Sequence, residues 1–477
     1  MTRPGAGVLA FAAAAALAMP APAPGQATDW KKIEKPPLRP FIPSQPRRVL
    51  LGNGLVILLQ EDHELPLVRG TARIRGGSRE EPAAKVGLGG IYGEVWRTGG
   101  TRDRTGDHLD DFLEARAARV ESGGGIDSTT LSWDCLKEDL DEVLPVFVEL
   151  LRSPEFREDK ITLAKSQVYT SIARRNDDPA GIADREAARI GYGPGSPYAR
   201  LDEYRTVEAV TRDDLLSWHR TYAHPNNTIL GVVGDFDARE MEAKLKKALG
   251  SWSRGPAVPR PKGEFKDPKP GVYHVAKDDV NQSNIRMVHL GTTKDNPDFY
   301  AIQVMNEVFG GGFAARLFSN IRSKKGLAYY VGGGVGTEFD HPGLFSLAMG
   351  TKSETTAAAI DALYEEIDGL LASPATAEEL KRAKDSILNS FIFSVDSPSK
   401  LLSVRMLYEF YGYPPDFLDR YRAGIERVTA ADVARVARQY VHKEKIALLV
   451  VGKDADFDRP LSSFGTVATV DITIPRP

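Results

Sequence analysis

The sequence is poor in the features that mark several common classes of protein. Its single cysteine, Cys135, excludes a disulfide within the chain, and the alternating pattern of LSWDCLKEDL predicts an inert thiol buried in a strand. The formal net charge of the 477 residues is only −3 and no basic block occurs, so a nucleic-acid partner is not expected. After residue 27 no apolar run reaches the roughly 18–20 residues that span a bilayer. The length predicts two to four domains.

The first 27 residues have the order of a targeting segment. Arg3 precedes an apolar run from Gly7 to Met19, and small residues and prolines follow up to Ala27. This order is typical of a secretory signal peptide that is cleaved before Thr28, although an uncleaved N-terminal anchor is the alternative. We therefore expect a periplasmic or secreted protein with no stable membrane span after cleavage.

Two proline-rich stretches divide the rest of the chain. Residues 28–46 predict an extended arm, and residues 254–270 predict a linker between domains. The first half then covers residues 47–253, the second half covers residues 271–460, and a tail covers residues 461–477.

The two halves repeat one another. TRDDLLSWHRTYAHPNNTILGVVGD, which begins at Thr211, matches TAADVARVARQYVHKEKIALLVVGK, which begins at Thr429. Upstream, SPEFREDKITLAKSQ matches SPATAEELKRAKDSI, which places Ala164 on Ala383. A register kept over two separate segments indicates a duplication.

Each half mixes strand and helix patterns. RRVLLGNGLVILLQ has strand-like runs around Asn53-Gly54, a strong hairpin signal, and TILGVVGD and KIALLVVGK are typical of buried strands. GDHLDDFLEARAARV and LDEVLPVFVELLRS carry apolar residues at helical spacing. Thr211 and Thr429 stand where helix N-caps are expected. The sequence therefore predicts two α+β halves joined by a linker.

Three segments resemble parts of the pitrilysin/insulinase-type zinc peptidases, and most of all their processing-peptidase-like bacterial branch. GLGGIYGEVWRTGG (87–100) resembles the helix with the inverted zinc motif His-x-x-Glu-His, and RRNDDPAGIA resembles the end of the helix that supplies the third ligand. NEVFGGGFAARLFSNIRSKKGLAYYVGGGV resembles the glycine-rich and Arg/Tyr segment. The resemblance implies two duplicated halves, each a mainly antiparallel sheet packed with helices, that enclose a cavity.

The first half lacks the residues that the resemblance assigns to zinc chemistry. The first His falls on Gly90, the Glu on Gly93 and the second His on Glu94, while the distal Glu falls on Thr170 or Ser171. In the family the two His and the distal Glu hold the metal, and the Glu between the His activates its water. We therefore expect no metal or other cofactor in this chain, with zinc only in a partner subunit, and no catalysis by the chain alone.

Glycine content and histidine spacing add two expectations. Glycines 87, 89, 90 and 93 each weaken a helix by about 0.8–1 kcal/mol relative to alanine, so we expect the segment to be partly unwound. No two of the eight histidines are three or four positions apart, so no histidine pair replaces the lost zinc motif on one helix face.

The second half keeps the two residues to which the resemblance assigns substrate binding. NIRSKKGLAYYV places Arg322 seven residues before Tyr329, and in the family this pair reaches the substrate near the zinc site. An arginine fork and a phenol can both donate hydrogen bonds to a peptide carbonyl or an oxyanion. Spacing alone leaves a structural salt bridge for Arg322 and a packed strand position for Tyr329 as the alternative. Gly310, Gly311 and Gly312 predict a flexible loop, since no Gly-Lys-Ser/Thr of a phosphate-binding loop follows.

The expected function follows from the loss of the zinc motif in the first half and the presence of the Arg/Tyr pair in the second half. Some bacterial members of the family that the chain resembles work as heterodimers, in which one subunit holds zinc and the other keeps only the Arg/Tyr pair. We expect a non-catalytic subunit of a secreted or periplasmic zinc-metallopeptidase heterodimer, with a homologous zinc-motif-bearing partner and peptide substrates. A catalytically dead peptide-binding or scaffold homodimer is the alternative, and an independent peptidase with a relocated metal site ranks below both.

Overall fold

A computed structural model describes residues 45–259 and 263–476 of the chain. The predicted signal peptide (1–27), nearly all of the predicted arm (28–46) and part of the linker lie outside the described residues. Among the helices that are described, none combines the length and the apolarity needed to cross a membrane.

The first half consists of one sheet and eight α-helices. Its strands are β1 (Arg47–Leu50), β2 (Val56–Glu61), β3 (Leu67–Arg75), β4 (Arg119–Gly124), β5 (Ser128–Leu136) and β6 (Thr228–Gly234). Its helices are α1 (Leu88–Thr98), α2 (Gly106–Glu114), α3 (Leu140–Arg152), α4 (Glu158–Arg174), α5 (Pro179–Tyr192), α6 (Tyr204–Glu208), α7 (Arg212–Tyr222) and α8 (Ala238–Leu249). The strand order is β1-β2-β6-β3-β5-β4.

The second half has a seven-stranded sheet. Its strands are β7 (Gly271–Ala276), β8 (Gln282–Leu290), β9 (Thr292–Thr293), β10 (Tyr330–Glu338), β11 (Pro342–Lys352), β12 (Ala447–Gly452) and β13 (Val467–Thr469). Its helices are α9 (Phe299–Phe309), α10 (Thr356–Ala372), α11 (Ala377–Ile392), α12 (Pro398–Tyr411), α13 (Phe417–Arg427) and α14 (Ala430–Tyr440), with a π-helical segment at Phe318–Lys324. The strand order is β13-β7-β12-β8-β11-β10-β9.

The sheets confirm the duplication that the sequence predicts. The order β2-β6-β3-β5-β4 in the first half repeats as β7-β12-β8-β11-β10 in the second. In both runs the first pair of strands is parallel and every later pair is antiparallel. The predicted α+β fold with two homologous halves is therefore confirmed.

Equivalent side chains in the two halves also make equivalent contacts. The Thr211 hydroxyl accepts a hydrogen bond from the backbone of Asp214 at the start of α7, and Thr429 caps α14 in the same way. The ammonium of Lys165 on α4 donates to the carbonyl of Glu208 at 3.0 Å. Lys384 on α11 repeats this contact with Glu426 at 2.9 Å. The matched segments therefore fold alike.

The predicted hairpin and buried thiol are also present. β1 and β2 pair antiparallel across the turn that contains Asn53 and Gly54, and Gly54 has a φ of 91°, a conformation that favours glycine. Cys135 lies buried in β5.

Each half buries a helix of the other half. Helix α5 of the first half packs on the second sheet, in a cluster of Ile182, Ala183, Ala187, Val275, Val288, Ala447, Leu449 and Val451. Helix α12 of the second half packs on the first sheet, in a cluster of Leu58, Ile229, Val233, Leu402, Met406 and Phe410. The halves are therefore held together by apolar burial and not by the linker alone.

Polar contacts also connect the two halves. The guanidinium of Arg79 in the first half lies 2.6 Å from the carboxylate of Asp340 in the turn between β10 and β11. The hydroxyl of Tyr411 at the end of α12 donates to Asp127 in the turn between β4 and β5. After β13 the C-terminal residues return to the first half, where the amide of Asn176 donates to the carbonyl of Ile472 at 2.7 Å.

We predict that Leu402→Ala lowers the free energy of unfolding by about 2–5 kcal/mol, because it leaves a cavity between α12 and the first sheet. Leu402 is only 4% exposed, whereas Leu163 on α4 is 54% exposed and provides the matched control. Leu163→Ala should change the free energy by no more than about 0.5 kcal/mol. Urea denaturation measures both free energies of unfolding. A decrease of less than about 1 kcal/mol for Leu402→Ala would contradict the packing of α12 on the first sheet.

Candidate functional site

Helix α1, which carries the positions of the lost zinc motif, is regular from Leu88 to Thr98. Its start is held by the buried Glu81, whose carboxylate accepts hydrogen bonds from the backbone of Gly87 at 3.0 Å and of Gly89 at 2.6 Å. The expectation of a partly unwound segment was therefore wrong. The intrinsic weakness of the glycines is offset by tertiary contacts that only glycine permits.

Backbone contact with β4 explains the glycine at the position of the general base. A Cβ atom on Gly93 would lie 2.2 Å from the backbone nitrogen of Gly124, far inside van der Waals contact. A Cβ atom on Gly124 would lie 2.3 Å from the carbonyl oxygen of Gly89. The glycines thus let α1 and β4 touch directly, and the space that a glutamate side chain would need is filled by the strand.

The rest of α1 also follows the outer edge of β4, which is the last strand of its sheet. The Arg97 guanidinium donates to the carbonyl of Val120 at 3.0 Å. The Ser122 hydroxyl donates to the carbonyl of Gly93 at 2.6 Å and accepts from the Arg97 backbone at 3.0 Å. Helix α1 is therefore held against this outermost strand through one backbone carbonyl and one side chain of β4.

The other degenerate positions face solvent without forming a site. Gly90 and Glu94 are exposed on α1, a Cβ atom on Gly90 would meet nothing within 4 Å, and no described group pairs with the Glu94 carboxylate. On α4 the hydroxyls of Thr170 and Ser171 donate to carbonyls of their own helix, at 3.0 and 3.2 Å. These five positions therefore offer one isolated carboxylate and no set of metal ligands.

Histidine and acidic residues elsewhere do not replace the motif. Within residues 45–259 and 263–476, no group of three or more His, Cys, Asp or Glu side chains is arranged to hold a metal ion. His219 reaches α1, where its Nδ1 lies 2.8 Å from the hydroxyl of Tyr92. Burial lowers the pKa of His219 to about 3, so it is a neutral histidine of the core.

In the second half the equivalent contact between helix and strand is made by a side chain. The burial pattern of α9 matches that of α1 with Asn306 and Glu307 in the places of Gly93 and Glu94. The Asn306 amide donates to the carbonyl of Val335 on β10 at 2.9 Å and accepts from its N–H at 2.8 Å. Sequence reasoning did not single out Asn306, because the register of the matched segments places Gly311 or Gly312 opposite Gly93.

Arg322 and Tyr329 are both exposed and unused by the fold. The guanidinium carbon of Arg322 lies 4.7 Å from the centroid of the Phe318 ring, and no described carboxylate pairs with it. Tyr329 is 76% exposed and its hydroxyl has no described partner. The neighbouring Tyr330 fills the structural role instead, since its hydroxyl bonds to Asn284 and Arg286. Neither the salt bridge of Arg322 nor the packed position of Tyr329 is found.

The glycine-rich loop lies between the end of α9 and the Arg322 segment. Gly310 packs against β10, and its carbonyl accepts from Gly333 at 3.3 Å. Gly311 and Gly312 lie against the carboxylate of Glu307, so close that a Cβ atom on Gly311 would come within 2.5 Å of it. The next residue, Phe313, is 83% exposed and was missed from the sequence.

Family models match both halves of the chain. The model described as Insulinase (Peptidase family M16) matches residues 56–192, which include α1 and α4. The model described as Peptidase M16 inactive domain matches residues 209–387, which include the glycine-rich loop, Arg322 and Tyr329.

Relatives and solved structures agree with these matches. A protein of Helicobacter pylori named non-peptidase homolog YmxG is 23% identical over 399 residues, which cover 83% of this chain and 91% of that protein. Other relatives of similar identity are named uncharacterized zinc proteases. A crystal structure of a peptidase M16 inactive domain from Pseudomonas fluorescens has a TM-score of 0.79 and 21% identity, and the match covers 87% of this chain and 100% of that one.

A longer protein shares the fold over part of its length. The periplasmic protease PqqL from Escherichia coli matches with a TM-score of 0.72 and 14% identity over 87% of this chain. The match covers 46% of PqqL, so the present chain spans about half the length of that protein.

We predict that the purified chain holds no stoichiometric zinc, because the positions of the two histidines and the distal glutamate carry no set of ligands. Metal analysis of protein dialysed against a weak chelator, with a zinc-bearing homologue treated in parallel, measures this. One zinc per chain that survives dialysis would show that a site has been assembled elsewhere.

We predict opposite effects of alanine at two glycines of α1. Gly93→Ala should lower the free energy of unfolding by about 1–3 kcal/mol, since its Cβ collides with the β4 backbone. Gly90→Ala, the matched control on an exposed turn, should raise the free energy by up to about 1 kcal/mol. Chemical denaturation compares the two, and equal effects would contradict the direct contact between α1 and β4.

Proposed function

Since the chain belongs to the insulinase family of peptidases, family M16, but lacks the zinc-binding residues of that family, we propose that it is the non-catalytic subunit of a zinc-metallopeptidase heterodimer. The partner is a homologous chain with an intact zinc motif, and the substrates are peptides. The present chain contributes Arg322 and Tyr329 to the partner's site. The exposure of these two side chains is the observation that carries the proposal.

The side chains of Arg322 and Tyr329 can bind a peptide, and their contacts within the chain give them no other role. A guanidinium and a phenol with free donor groups can bind a peptide carbonyl and the negative charge that develops on it during hydrolysis. A tyrosine that is 76% exposed contributes little to the stability of its own chain. A role in contact with a substrate or a partner accounts for both side chains.

The structure of the first half supports a role for a second, catalytic subunit. Helix α1 has neither zinc ligands nor room for a general base at Gly93. The first half of this chain therefore offers no site for hydrolysis. Chemistry on a peptide held by the second half requires groups from another polypeptide.

The length relation to PqqL is consistent with a second chain. A protease of this fold, PqqL, is about twice as long as the present chain, which matches 46% of it. One chain with two units of this fold and two chains with one unit each are equivalent arrangements. A periplasmic or secreted location, as the first 27 residues suggest, forms part of the proposal.

We predict that Tyr329→Phe lowers peptide hydrolysis by the reconstituted heterodimer about a hundred- to a thousandfold, the effect of losing one oxyanion donor worth about 2.7–4 kcal/mol. Arg322→Ala should slow turnover and also weaken substrate binding. Both side chains are exposed, so folding and assembly should not change. The rates are measured on a fluorogenic peptide, and assembly is checked by gel filtration.

Lys324→Ala is the matched control, because Lys324 is an exposed cation on the same π-helical segment, with its ammonium 2.9 Å from the Asn320 side chain. It should leave the rate unchanged. Full activity of assembled Tyr329→Phe and Arg322→Ala complexes would contradict the proposal and favour the alternative, a catalytically dead peptide-binding or scaffold homodimer. Failure of the two variants to assemble would make the pair structural.

A further inference from the structure

The segment that carries Arg322 is anchored to the body of the second half. It forms the π-helical turns Phe318–Lys324, and such turns occur often at functional sites. The Asn320 amide donates to the carboxylate of Glu366 on α10 at 2.9 Å, and Ile321 lies buried in the core of the second half. The backbone of the segment is therefore held in place, whereas the side chain of Arg322 is exposed.

The orientation of this exposed side chain depends on one aromatic ring. The guanidinium carbon of Arg322 lies 4.7 Å from the centroid of the Phe318 ring, within the range of a cation–π contact. No carboxylate of the described residues pairs with the guanidinium. Because a free arginine side chain samples many rotamers, the Phe318 ring restricts the directions in which the guanidinium is presented.

The glycine-rich loop adds a second ring to this contact. The backbone N–H of Ala315 donates to the carbonyl of Gly312 at 3.0 Å, which closes a turn with Phe313 inside it. The Phe313 ring meets the Phe318 ring edge-on, with 5.0 Å between the centroids and 84° between the planes. Aromatic pairs attract one another in this geometry. Since Phe313 is 83% exposed, burial does not account for its position, and the contact with Phe318 does.

We propose that Phe318 is a positioning residue for Arg322, and that Phe313 couples the glycine-rich loop to Arg322 through the Phe318 ring. The three side chains form an aromatic relay from the loop to the group that contacts the substrate. The inference rests on the proposed function, in which Arg322 completes a partner's site. It adds that the loop regulates the direction of the guanidinium, and a displacement of about 1 Å at such a group can lower a rate about a hundredfold.

The first test measures kcat/KM of the reconstituted heterodimer on a fluorogenic peptide. Phe318→Leu removes the ring and should lower kcat/KM about tenfold, because the guanidinium is no longer held. Phe318→Tyr retains the ring and should keep kcat/KM within about twofold of the wild type. Phe313→Ala should lower kcat/KM about threefold, since the Phe318 ring loses its edge-on partner. Full activity of assembled Phe318→Leu and Phe313→Ala complexes would overturn the relay.

Phe393→Ala is the matched control for Phe313→Ala. Phe393 follows α11 directly and is 68% exposed, so its substitution also removes an exposed ring from the second half. It should leave kcat/KM unchanged, because it lies outside the relay. If Phe318→Leu fails to fold, the comparison of Phe313→Ala with Phe393→Ala carries the test, since both side chains are exposed.

A double-mutant cycle distinguishes positioning from a general loss of structure. In a chain that already carries Arg322→Ala, Phe318→Leu should cause no further loss of kcat/KM, because no guanidinium remains to be positioned. A structural role of Phe318 would lower kcat/KM by the same factor with and without Arg322, and that result would overturn the inference.

The NMR signal of the Arg322 side chain gives a measurement that does not depend on hydrolysis. In the full chain with isotope-labelled arginine, the Arg322 signal is assigned by its loss in Arg322→Lys. The ring current of Phe318 should shift this signal, and the shift should disappear in Phe318→Leu and decrease in Phe313→Ala. A signal that does not respond to Phe318→Leu would contradict the contact.

The outcomes separate this inference from the function on which it rests. Unchanged kcat/KM in Phe318→Leu and Phe313→Ala, together with a loss in Arg322→Ala, would overturn the relay and leave the proposed function standing. Unchanged kcat/KM in Arg322→Ala would overturn both, even with the ring-current shift present.

Discussion

The structure depends on the exchange of two helices between its halves. Each sheet leaves an apolar face that its own half does not cover, and the cover comes from the other half, α5 on the second sheet and α12 on the first. Each half has a main core of its own, and the exchanged helices bury the remaining apolar face of each sheet. The Arg79–Asp340 pair and the returning C-terminal residues add polar contacts to the same joint.

The duplicated helices α1 and α9 occupy equivalent places in the two halves, but they contact their strands through different groups. Each packs against one strand of its own sheet, α1 against β4 by backbone contact through Gly93 and α9 against β10 through the side chain of Asn306. The loss of the zinc motif is therefore more than a loss of ligands, because the strand occupies the space of the general base. In the second half the Arg322 guanidinium has no described carboxylate partner, and the Tyr329 hydroxyl has no described hydrogen-bond partner.

Much of this could be predicted from the sequence, because the signals were local or repeated. The hairpin at Asn53-Gly54, the caps at Thr211 and Thr429 and the duplication each depend on residues close together in the chain or on its own copy. The regular α1 could not be predicted, since helix propensity penalises its glycines and the contact that offsets them involves Gly124, a distant residue. The helix exchange likewise arises from tertiary packing, which periodicity does not report.

The central claim is that this chain completes the active site of another chain. Co-purification of the full-length protein from its native host, with mass spectrometry and metal analysis of the purified complex, tests it most directly. The account predicts a homologous partner with an intact His-x-x-Glu-His motif and one zinc per heterodimer, bound to the partner. A complex that contains only copies of this chain, without zinc, would contradict the claim.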